Sequence, residues 1–160
     1  MNWAHLHLLL NHIPVLGTVF GLVLLAYAIF RRNDALKKVA LGAFVAIALL
    51  ALPVYFTGEP AEEIVESAAG ISKAAIEAHE ESALVSLVGV ELLGIIAVIG
   101  LVAARRRPVS VTVGGVTLVV SLATAALMAR TANLGGQVHH EEIRAGVSTP
   151  VAEHEVEHAR

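Results

Sequence analysis

The sequence predicts an all-α protein, a bundle of four helices crossing a membrane, and three observations carry that expectation. The first is composition: of 160 residues, 56% are hydrophobic and only 16% charged, with a mean hydropathy of +0.73. A soluble domain carries about a quarter of its residues as charges. The second is segmentation. Four apolar stretches, 8–30, 39–57, 83–104 and 111–129, each approach the ~20 helical residues that cover a hydrocarbon core of about 30 Å. The third is charge placement. Seven of the 11 basic residues fall in "RRNDALKK" (31–38) and "RRRP" (105–108), whereas of the 14 acidic residues only Asp34 lies there. Basic residues flanking membrane helices stay in the cytoplasm. The expected topology is therefore N-out, C-out, multi-pass in a bacterial inner membrane, with both termini periplasmic and the bilayer as first partner. No basic, cleavable leader is apparent at the N-terminus. Cysteine is absent, which excludes disulfides and thiolate chemistry.

The first span opens with "LHLLLNHIPVLG" (6–17), whose His7, Asn11, His12 and Pro14 a plain anchor would not need. Further in, "GTVFG" puts Gly17 and Gly21 on one face, a small-xxx-small approach site for another helix. Pro14 and Pro53 are expected to kink the first two spans. Trp3, Tyr27 and Tyr55 suit interfacial anchoring.

Between spans two and three, "GEPAEEIVESAAGISKAAIEAHEES" (58–82) reads as a short periplasmic amphipathic helix. Pro60 fits its first turn, Glu62, Glu63 and Glu66 favour its N-terminal half, and Ile64, Val65, Ala68 and Ala69 form an apolar strip. Gly70 breaks that helix, and Ser72 starts the third span early. The third span carries the one acidic residue inside hydrocarbon, Glu91. A carboxyl there is costly, so it is expected to face inward, protonated unless paired, with Asn11, His12, Thr57 or Thr124 as candidate partners. Its functional reading is a proton relay.

The fourth span leaves through "NLGGQVHHEEIR", where Gly135 and Gly136 are expected to stop the helix and let the chain fold back. The transmembrane domain thus covers 1–144, followed by a polar tail, 145–160. The tail's "HEVEH" (154–158) matches a zinc-protease pattern, but it lacks a third ligand and a cleft. No catalytic residue is assigned, and the chain is expected not to be an enzyme by itself.

All eight histidines lie toward the periplasmic end. At 1.5 Å per residue, His12 stands about 28 Å above Arg31, and His5 and His79 each stand about 39 Å above the basic connectors. Glu91 stands about 21 Å up and Arg130 about 34 Å up. Imidazole is a leading metal ligand and titrates near neutral pH.

The segments "HLHLLLNHIPVLGTVFGL", "TGEPAEEIVE", "IEAHEESALVSL" and "NLGGQVHHEEIR" together resemble a group of uncharacterised small bacterial inner-membrane proteins. That group has four helices and motifs of the type L-N-H-x-P, E-A-H-E and G-G-x-x-x-H-x-E. The resemblance spans residues 5–144. It points to Asn11, His12, Pro14, Glu59, His79, Glu80, His140 and Glu142. The chain also looks distantly like membrane cytochrome b subunits, a likeness of architecture that implies haem b held by histidines.

Two expectations of function follow. In one, a periplasmic His/Glu site binds haem b or a transition metal ion for electron transfer. His12 and His79, with His5 or His140 as substitute, would be haem ligands, and Arg130 would meet the propionates. A metal would instead use His12, His79, Glu80 and His140. In the other, the chain is a non-enzymatic subunit or a pH or metal sensor. It would bind a larger membrane complex or another copy of itself, with glycine-rich helix faces marking the contact. Nucleic acid is not expected as a partner, because the chain is strongly apolar and most of its few basic residues sit in membrane connectors.

Overall fold

The structure, a computed structural model, describes residues 2–66, 72–140 and 143. Six helices follow one another: α1 (Trp3–Leu10), α2 (His12–Phe30), α3 (Asp34–Phe56), α4 (Gly58–Val65), α5 (Lys73–Ala103) and α6 (Val111–His139). No strand occurs among the described residues. Continuous or nearly continuous pairs give four rods, Trp3–Phe30, Asp34–Val65, Lys73–Ala103 and Val111–Val138, each long and apolar enough to cross a membrane. The helices α2, α3, α5 and α6 pack in a closed ring, each against its chain neighbour, with α2 also against α6. At one end α1 packs on α4.

Local sequence explains the breaks. Pro14 has no amide hydrogen to give to Leu10, and its ring crowds that carbonyl. The first rod accordingly divides at Asn11. The Pro14 carbonyl in turn accepts the Thr18 hydroxyl at 2.7 Å. Asn2, Asn33, Ser72 and Ser110 cap the helices that follow them, each accepting a main-chain N–H three residues on. The restart at Ser72 is the one its sequence position suggested, whereas Ala68, Ala69 and Gly70 lie outside the described residues. The tail 145–160, with "HEVEH", does so as well.

The two arginine-bearing connectors meet at one end of the bundle. Asp34 Oδ1 accepts the Val109 amide at 2.6 Å, and its other oxygen pairs with Lys38 at 2.9 Å. The Lys38 ammonium and the Val109 amide hold the Asp34 carboxyl below the usual carboxylate range. Arg32 takes a left-handed backbone, φ 51°, and closes the turn as the Asn33 amide reaches the Ala28 carbonyl at 2.9 Å.

Toward this arginine end the core is apolar: Leu25, Ala28, Ala40, Leu41, Phe44, Leu93 and Ala97 are completely buried. The glycine face of "GTVFG" is filled within the chain. A β-carbon on Gly21 would fall 2.5 Å from the Phe44 ring, and one on Gly17 would fall 2.9 Å from Ile47. That face therefore serves α2–α3 packing rather than contact with another protein. Outward, a belt of large apolar side chains is exposed, including Leu16, Phe20, Val23, Leu49, Val88, Leu92, Ile99, Val119 and Leu122. So extensive an apolar surface is foreign to water-soluble monomers and is consistent with a multi-pass membrane protein.

One expected helix stop is absent. Helix α6 runs through Gly135 and Gly136 to His139 and is capped by His140, whose amide bonds the Gly136 carbonyl at 3.1 Å. Glycine permits a helix end but does not compel one. Here its missing side chain is used for packing: a β-carbon on Gly135 would approach His79 Cε1 to 3.0 Å.

Candidate functional site at the histidine end

The end opposite the arginines is polar inside. On the first rod, His7, Asn11, Pro14, Thr18 and Gly21 recur at three- and four-residue intervals and form the inward stripe. Pro14, Thr18 and Gly21 are buried, and His7 and Asn11 are half-buried. On α5 the inward stripe is Ile76, His79, Ser82, Ser86, Val90 and Leu93.

Both inward histidines are held the same way. His7 Nδ1 lies 3.1 Å from the Val54 carbonyl and 3.2 Å from Thr57 Oγ1. The Thr57 hydroxyl gives its hydrogen to Val54 O at 2.8 Å, so toward the ring it can only accept. His79 Nδ1 lies 3.0 Å from the Thr131 carbonyl. Carbonyl oxygens accept only, and hence both rings carry their hydrogen on Nδ1. In the neutral ring the lone pair then sits on Nε2.

Beneath His79 a hydroxyl cluster fills the space between α5 and α6. Thr131 Oγ1 is 2.7 Å from Ser82 Oγ and 2.8 Å from Ser86 Oγ. Above it, Glu80 of α5 hydrogen-bonds Glu62 of α4. This bond, burial and the neighbouring charges of Glu66 and Glu59 push the Glu62 carboxyl up to about 7. That hydrogen bond joins the short helix α4 to the mouth of the bundle. Asn11 Oδ1 is buried with no hydrogen-bond partner.

The residues expected to form the site are distributed as follows. His79 and Glu80 are at the mouth. His12 is exposed, its Nδ1 turned back to the Leu8 carbonyl of its own turn at 3.2 Å. His5 and Arg130 are exposed, as is His140. The inward histidine of the first rod is thus His7. Among the described residues, no group of three or more His, Cys, Asp or Glu side chains is arranged to hold a metal ion. Glu91 does not turn inward to Asn11, His12, Thr57 or Thr124. It lines a groove between α3 and α5, and its Oε1 is buried without a partner. The reason is helical phase. Val90 and Leu93 occupy the inward face, and Glu91 lies 100° away from Val90. Thr124 instead bonds the Gly89 carbonyl at 3.3 Å.

Sequence reasoning passed over His7, Thr131 and Glu62. Two signals pointed to His7. It leads the inward stripe, and it stands 24 residues from Arg31, about 36 Å up and close to the height of His79. Nothing local marks Thr131 or the Glu62–Glu80 pair, which are contacts between distant segments.

The chain matches no protein-family model, no curated protein and no solved structure.

Proposed function

We propose that His7 and His79 form a bis-imidazole site for haem b in a small electron-transfer protein of the bacterial inner membrane. The observation that carries this reading is the matched anchoring of both rings: each Nδ1–H is held by a main-chain carbonyl, which leaves each Nε2 as the free donor. Anchoring of this kind fixes ring orientation and raises ligand basicity in metal-binding histidines. The donor set suits an iron that brings its own four equatorial nitrogens. It does not suit a bare transition metal ion, which needs further protein ligands. The group would supply one-electron chemistry when bound. The chain's own residues orient the two imidazoles, and the hydroxyls of Ser82, Ser86 and Thr131 fill the space below. With the arginine connectors in the cytoplasm by the positive-inside rule, the site and both termini face the periplasm, and α4 lies over the mouth there.

The test is an absorption spectrum of protein purified from haem-replete cells. A Soret band and a sharp reduced α-band are expected, lost in His7→Ala and in His79→Ala and kept in His12→Ala. A colourless wild-type preparation would overturn the reading.

A second reading rests on the Glu62–Glu80 pair. A carboxyl titrating near neutral pH between α4 and α5 suits a subunit or sensor that binds a partner protein when α4 is released. Co-purification of a large partner at pH 8 but not at pH 6 would favour it.

A further inference from the structure

Glu91 takes no part in the site just described, and its surroundings pose a separate problem. It lies 14 residues from Arg105, about 21 Å along the helix from the arginine end. That depth is within the hydrocarbon of any bilayer the four rods cross. The groove it lines has a volume of about 230 Å³. Val45, Ala48 and Leu49 form one wall and Ile95, Val98 and Ile99 the other. The helices come together at Gly94, where a β-carbon would fall 2.5 Å from that of Ala48. Glu91 is the only polar side chain lining the groove among the described residues, and its buried Oε1 has no hydrogen-bond partner.

An acidic group in an apolar groove at membrane depth calls for a complement. Among its described residues, the chain supplies none at the groove. Its basic residues are Arg31, Arg32, Lys37, Lys38, Lys73, the triplet 105–107, Arg130, Arg144 and Arg160. Those in the described residues lie in the connectors or along α3, α5 and α6, and none lines the groove. A second copy packed on this groove would bring the same apolar side chains and another carboxyl, with no cation at that depth. Lipid headgroups carry their charge at the surface. A cation that is itself soluble in hydrocarbon supplies that complement to the carboxylate form.

We propose that the α3–α5 groove binds a lipophilic cation, its apolar body against the α3 and α5 side chains and its charge against the Glu91 carboxylate. Free of ligand, Glu91 is the neutral acid. On binding, its O–H bond breaks, the proton leaves to water, and the cation's charge balances the carboxylate left behind. Binding is therefore an exchange of one cation for one proton.

Tetraphenylphosphonium is the probe. Detergent-solubilised full-length protein is expected to bind it saturably and to release about one proton per cation into weakly buffered solution. Below the titration range of Glu91, the apparent Kd should rise tenfold for each unit of acidification. Glu91→Gln should abolish both binding and proton release with the melting temperature unchanged, and Glu91→Asp should keep both at reduced affinity. Equal binding by wild type and Glu91→Gln, or binding without proton release, would sink the proposal. A hydrophobic carbodiimide, which reacts with protonated carboxyls in apolar surroundings, supplies an independent readout. In vesicles its labelling of Glu91 should slow as the cation is added. If labelling instead falls as protein is concentrated in the bilayer and ignores the cation, a second copy fills the groove and the proposal fails.

Discussion

His79 reaches from α5 to α6 and hydrogen-bonds the Thr131 carbonyl at 3.0 Å, and it does so over Gly135, one turn further along the same helix. The absence of a side chain at 135 is what admits the ring. In Gly135→Ala, the added methyl would meet Cε1 at 3.0 Å and push the imidazole off its acceptor. Losing that hydrogen bond costs about 1 kcal/mol, and alanine in a helix returns about 1 kcal/mol. The melting temperature should therefore barely move while the His79 environment changes. Proton NMR of the ring, or the loss of any haem spectrum, reads the difference.

Two glycines make a paired test of the packing. A β-carbon on Gly94 falls 2.5 Å from the Ala48 β-carbon, which is fixed to backbone and cannot swing aside, whereas one on Gly42 meets nothing within 4 Å. Gly94→Ala should force α3 and α5 apart, at about 1–3 kcal/mol. Gly42→Ala should instead stabilise by about 0.5–1 kcal/mol through helix propensity. Thermal melts in one detergent compare them directly.

The Glu62–Glu80 pair gives stability a sign with pH. Glu62 is raised in the folded chain from 4.5 to about 7, so between those values the folded state holds a proton that the unfolded state has lost. The folded state is favoured below 4.5, and this contribution fades as pH rises through about 7. Attachment of α4 should weaken across that window, seen as lower hydrogen-exchange protection in 58–66 at pH 8 than at pH 5 after division by the intrinsic, base-catalysed rate. Glu62→Gln should remove most of the dependence; an unchanged profile in that variant would remove the pair from consideration.

The absence of native cysteine makes the proposed orientation directly testable. Single cysteines at Asn33 and Pro108 should resist a membrane-impermeant maleimide in intact cells and react in inverted vesicles. A cysteine at Glu63 should do the reverse. Labelling of Asn33→Cys and Pro108→Cys from opposite sides would contradict the meeting of the two connectors as well as the orientation.

The sequence made the four rods legible because a helix apolar enough to cross hydrocarbon carries that signal along its whole length. The common end of the two arginine connectors was legible for the same reason, since crossing parity settles it. The site was legible only in outline. His79 could be placed near the mouth from its height, yet helix phase near Asn11 decided between His7 and His12, and the break at Pro14 affects that phase. Glu91 was marked as anomalous, but the choice between inward and groove-facing positions turned on a single residue of phase relative to Val90. The contacts of Thr131 and Glu62 join residues about 50 and 18 positions apart, and no periodicity encodes them. The stop expected at Gly135 failed because tertiary packing, invisible locally, put the small residue to another use.

The contact between the Asp34 carboxylate and the Val109 amide has a consequence for biogenesis. Helices α2–α3 and α5–α6 form two hairpins that also pack on each other, so on the proposed membrane topology the first can be released before the second has been synthesised. The acceptor at Asp34 is laid down early and its donor arrives about 75 residues later. On that topology the hydrogen bond forms only once both halves are in place. A chain severed within 67–71 and co-expressed as two pieces should still assemble in the bilayer, guided by that late clasp.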